Sequence, residues 1–76
     1  MADIETYILD AIRTADSDEL SVKEVHSRLT DNYGFDTTEK RVRVHLNKLV
    51  RIGDLESRMV DGLPEGRKRF YKLVVN

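Results

Sequence analysis

The sequence predicts an α+β fold in which three helices are followed by an antiparallel β-hairpin, and three observations carry that expectation. Apolar residues recur at helical spacing in three separate stretches of the first fifty-odd residues. Two helix-start signatures, "SVKE" and "DTTE", punctuate those stretches. From Asp54 onward the apolar period switches to two, interrupted by "DGLPEG" with two glycines and the only proline.

Ile4, Ile8, Ala11, Ile12 and Ala15 fall on one stripe of a helix, so helix 1 is expected from about Ala2 to Ala15. "DSDE" (16–19) is a polar break. In "SVKE", Ser21 can accept from the Glu24 backbone N–H while the Glu24 side chain reaches back, forming a capping box. Leu20 and Val25 flank it at the positions of a hydrophobic staple. Val22, Val25, Leu29 and Tyr33 mark the buried side of helix 2, and Gly34 ends it.

A second capping box is expected from Asp36 to Glu39, starting helix 3 near Thr37, with Gly53 stopping it after Ile52. On a wheel of about 100° per residue, Leu46, Leu49 and Val50 cluster around Val42. The opposite side carries Lys40, Val44, Asn47, Lys48 and Arg51, with Arg41 and Arg43 on its flanks. This helix is amphipathic, and its wet face is basic.

"DLESRMV" (54–60) alternates Leu55, Ser57, Met59 against Glu56, Arg58, Val60, which is a strand pattern. "DGLPEG" (61–66) reads as a six-residue loop, and the returning strand places Tyr71, Leu73 and Val75 on one side.

Seventy-six residues make one domain, 1–76, and a chain this short buries only about 60% of its unfolded surface. The absence of cysteine excludes disulfides and thiolate metal sites. Asp3 and Glu5 stand where a secretory leader would need cations, and no run is long enough to span a membrane, so a cytoplasmic protein is expected. The net charge of −1 hides a division. Residues 1–36 hold nine acids against three bases, a net of −6, and residues 37–76 hold ten bases against five acids, a net of +5. One end of the molecule seeks anions.

The order of elements, with "SVKEVHSRL", "TTEKRVRVHLNKLVRIGDLESR" and "GRKRFYKL", resembles the winged helix-turn-helix domain of small bacterial and archaeal transcription regulators. The resemblance covers almost the whole chain. It implies a three-helix bundle with a two- or three-stranded β-wing, helix 3 (37–52) as recognition helix, and the wing (58–69) on flanking backbone or minor groove. There are two departures. "TDNYGFDT" is longer than the tightest helix-turn-helix connection, and the sequence adds no dimerisation helix or effector domain after the wing strand.

A helix of this diameter fits the DNA major groove. Thr37, Thr38, Lys40, Arg41, Val44, Asn47, Lys48 and Arg51 are therefore the candidate contacts on helix 3. Arg41 heads them, because its planar fork matches guanine O6 and N7. Val44 is placed to touch a thymine methyl. Arg58, Arg67, Lys68 and Arg69 are the wing candidates. The bland reading is a solvated helix face and an edge strand protected by cations. Glu39 is the sole acid between Thr37 and Gly53, however, so the helix face lacks the acidic partners of an ordinary solvated one.

Double-stranded DNA is thus the expected partner. The rival is a protein-interaction adaptor using the same basic face, and an RNA or single-strand binder would need an exposed aromatic platform that is not evident. His26 and His45 lack ligand-spaced neighbours, so no metal, cofactor, small-molecule ligand or catalytic group is expected. Tyr7 and Leu9, off the core stripe of helix 1, are the candidate surface for a homodimer.

Overall fold

The computed structural model describes residues 3–64 and 66–74. Its elements are α1 (Ile4–Arg13), β1 (Leu20–Ser21), α2 (Val22–Tyr33), α3 (Glu39–Ile52), β2 (Leu55–Leu63) and β3 (Gly66–Leu73).

In α1, Asp3 is the N-cap and accepts the Thr6 backbone N–H at 3.0 Å. The helix is shorter than its apolar stripe suggested because Thr14 already leaves helical geometry, and Ala2 lies outside the described residues. Ile4, Ile8, Ala11 and Ile12 are buried as the spacing requires. Tyr7 and Leu9 are not the exposed apolar pair expected of a dimer surface. Both pack against the core, and the Tyr7 ring lies 5.3 Å from that of Tyr33 and 5.4 Å from that of Phe35.

The first capping box forms as read. Ser21 Oγ accepts the Glu24 N–H at 3.3 Å, and Glu24 Oε1 accepts the Ser21 N–H at 3.1 Å. Val25 and Leu29 are fully buried, while Val22 and Tyr33 are half-buried against the same core. The second box does not form. Thr38 rather than Asp36 caps α3, its Oγ1 accepting the Arg41 N–H at 3.2 Å. The preceding carbonyl, that of Thr37, is held 2.7 Å from His26 Nε2 on α2, so Thr37 belongs to the connection and not to the helix. α3 then buries Val42, Leu46 and Leu49 and ends at Gly53.

The sheet runs β1-β3-β2, antiparallel throughout, with β3 in the middle. Leu20 and Ser57 both stand opposite Tyr71, so one face of the sheet turns toward the helices, and Tyr71 and Leu55 complete the core there. The expected six-residue loop is largely strand. Pairing continues to Val60 opposite Lys68, is interrupted by a bulge, and resumes with Leu63 opposite Gly66. Gly62 (φ 80°) and Gly66 (φ 95°) adopt the positive φ that this irregularity demands. Met59 shares a face with Leu55 but is 43% exposed, bordering an open groove beside α2 and α3. The reading of Val75 as an inward residue falls outside the described residues.

Candidate nucleic-acid interface

α3 presents two polar flanks to either side of its exposed ridge, and each is set by a different neighbour. On the α1 side, Glu5 Oε2 lies 3.0 Å from His45 Nδ1 and 3.2 Å from Lys48 Nζ. The hydrogen bond from His45, then the bond and charge of Lys48, hold the Glu5 carboxyl below its ordinary range. On the wing side, Asn47 Oδ1 accepts the Tyr71 hydroxyl at 2.9 Å. Burial pushes the Tyr71 phenol upward, so it stays a neutral donor. Between these flanks Lys40, Arg41, Val44 and Arg51 are exposed, Val44 by 60%.

β3 supplies the second basic element. Cross-strand partners share a face, so Arg69, opposite Met59, lies on the helix-facing side with Tyr71, and Arg67 follows by alternation. Arg69 Nη1 donates to Ser57 Oγ at 3.1 Å, a neutral partner that leaves its charge uncompensated. Arg43 and Asn47 of α3, Arg67 and Arg69 of β3 and Lys23 of α2 line one open groove floored by Tyr71 and Met59.

Phe70 faces the other way by alternation, and Lys68 beside it also borders the groove. Phe70 sits between the Lys68 ammonium at 5.8 Å and the Arg58 guanidinium at 5.9 Å.

Five of the sequence candidates have a different setting from the one expected. Arg58 is not a waiting cation. Its Nε donates to both oxygens of Glu19, at 3.0 and 2.8 Å, and its Nη2 adds a further bond. The pair fastens the wing to the segment before β1 and lowers the Glu19 carboxyl. Lys48 is engaged by Glu5, as described. Thr37 is half-buried off the helix, with its hydroxyl enclosed and without a hydrogen-bond partner. Arg67 Nε lies 3.4 Å from Asp61 Oδ1, but both groups are more than three-quarters exposed, so that pair is weak. Thr38 remains exposed, with its hydroxyl spent on the cap.

Among the described residues, Lys40, Arg41, Arg43, Arg51 and Arg69 have no ion-pairing carboxylate. Arg43 and Lys23 were not among the expected contacts. Arg43 was visible as a flank of the helix wheel, but only the position of the wing shows which flank matters. Lys23 had no such signal.

No protein-family model and no curated protein matches the chain. Solved structures do. Bacillus subtilis PadR in complex with operator DNA superposes with a TM-score of 0.80 at 22% identity, over 97% of this chain and 41% of that one. The Vibrio cholerae ferric uptake regulator gives 0.79 at 18% identity, over 99% and 54%. The fold is a winged helix. The chain spans about half the length of these structures or less, and at such identity the winged-helix likeness speaks for architecture.

Proposed function

We propose that this chain is a double-stranded DNA-binding winged-helix domain, 1–76, that acts in cytoplasmic transcriptional regulation and is not an enzyme. One observation carries the reading. Cations from two separate elements, Arg43 of α3 and Arg67 and Arg69 of β3, converge on a single groove, with Asn47 between them.

With α3 in a major groove, Lys40, Arg41, Val44 and Arg51 along its ridge face the duplex, Arg41 toward a guanine and Val44 toward a thymine methyl. The wing cations Arg67, Lys68 and Arg69 then meet the flanking backbone, which fixes register without reading sequence. The likeness to regulators, one of them bound to its operator, supports the same reading.

If about four to six phosphates are neutralised, log affinity falls with log salt at a slope near −4 to −5. NMR shift mapping with a random duplex tests this directly. Signals of residues 37–51 and 67–69 move if the proposal holds, and their indifference to duplex at low salt removes it. An adaptor role is favoured by a different observation. Glu5 and Glu19 already engage two of the cations, and the net charge is −1. Such a domain would leave those signals unmoved by duplex and shift them with an acidic protein partner.

A further inference from the structure

Every charged group lining the α3–wing groove is a hydrogen-bond donor, and Asn47 alone among its α3 and β3 residues carries a side-chain amide with both a donor and an acceptor face. What that amide shows to a ligand depends on which way it is turned. Tyr71 sits directly behind it, 1% exposed, with its hydroxyl 2.9 Å from Asn47 Oδ1. A buried phenol proton needs an acceptor. The nearby guanidiniums of Arg43 and Arg69, close enough to act on Tyr71 electrostatically, offer none. Were the amide reversed, its NH₂ would meet the phenol oxygen and leave the phenol proton facing cations. Oδ1 is therefore held toward the sheet and the NH₂ group is turned to the groove.

We propose that Tyr71 makes Asn47 a donor-only reader, which accepts any base edge presenting an acceptor at its position, loses the usual asparagine preference for adenine, and rejects cytosine. The inference rests on the DNA-binding reading and adds a specificity to it. The familiar pairing of an asparagine with adenine needs Oδ1 to accept from N6 while Nδ2 donates to N7. Here Oδ1 is turned to the Tyr71 hydroxyl, so the two amide atoms do not face one base edge together. Guanine offers O6 and N7, thymine O4 and adenine N7, each suited to a lone donor, whereas cytosine shows only its N4 donor. Tyr71 touches no base in this arrangement. It is a positioning residue.

Selection of duplexes from a random pool by the wild-type chain and by Asn47→Ala, Tyr71→Phe and Arg69→Ala variants tests the inference, with a salt titration of each on unselected duplex. The position read by Asn47 is the one whose preference disappears in Asn47→Ala. The expected result for the wild type is no preference for adenine over guanine or thymine there, and discrimination of about tenfold against cytosine. Tyr71→Phe, which keeps the buried ring and frees the amide to turn, should shift the preference toward adenine at that position alone. Arg69→Ala should weaken all sequences together. Side-chain amide shifts of Asn47 in the free protein should change in Tyr71→Phe, and a melt of that variant confirms the fold.

Adenine preferred by the wild type, or a Tyr71→Phe pool identical to the wild-type pool, overturns the inference. So does a pool with no preference sensitive to Asn47. In each of those cases a salt-dependent titration keeps the DNA-binding reading standing. Absence of duplex binding in the titration sinks both.

Discussion

Glu5 and Glu19 are single residues outside α3 and the wing, yet they determine which cations a polyanion finds uncommitted. Each sits close to forty positions from the base it engages, Glu5 with Lys48 and His45, Glu19 with Arg58. A phosphate approaching Lys48 or Arg58 must compete with a carboxylate, whereas Arg43 and Arg69 offer their charge without that contest. Arg43→Ala and Arg69→Ala should therefore lower duplex affinity severalfold more than Lys48→Ala and Arg58→Ala, as read by fluorescence anisotropy at fixed salt. At the same scale, Leu46 is fully buried in the core cluster, and Leu46→Ala should cost about 2–5 kcal/mol in a denaturant titration. The core residues were legible because helical and strand periods are local. The ion pairs were not, because no local pattern announces a partner on another element.

Among the elements, α3 and the hairpin show where local chemistry is read well and where it misleads. The stop at Gly53 was legible, since a left-handed residue after a basic, apolar helix is the common ending. Its φ of 96° makes Gly53→Ala strained even though a methyl group would meet nothing within 4 Å. A loss of about 1–2 kcal/mol in thermal or chemical unfolding is expected, with DNA affinity per folded molecule little changed.

The start of the same helix was misplaced because two threonines and an aspartate all offer oxygens. The contact between His26 and the Thr37 carbonyl, which settles the choice, is tertiary. In the wing, glycine and proline suggested an open loop, whereas the glycines serve a bulge within a continued ladder. The continued ladder carries Arg67 and Arg69 on the strand paired with β2, beside α3. Replacing Arg67, Lys68 and Arg69 together by alanine should weaken binding uniformly across sequences and make the salt slope shallower by about 2–3, while circular dichroism stays that of the parent.

The whole molecule is a small body with a radius of gyration of 11.9 Å and little stability to spare. Its charge division was legible from the sequence, but its meaning changes in three dimensions. The acidic half does not simply point away, because Glu5 and Glu19 reach across to the basic half and tether it. This linkage has a sign. The Glu5 carboxyl is lowered in the folded chain, so its contribution is present above the unfolded value and is lost as pH falls through the folded one. Stability should decline as pH drops from about 5 toward 3, and Glu5→Gln should flatten that decline in urea midpoints taken across the range.

The strand order carries a consequence for biosynthesis. β1 and β2 each hydrogen-bond to β3 and not to one another, so the middle strand of the sheet is the last one translated. A nascent chain that has emerged only as far as the residue before Gly66 displays two outer strands with no template to zip onto, and a hydrophobic interior still missing the buried Tyr71. Assembly of the sheet therefore waits until that segment clears the exit tunnel, and nascent chains arrested short of it should remain open to protease.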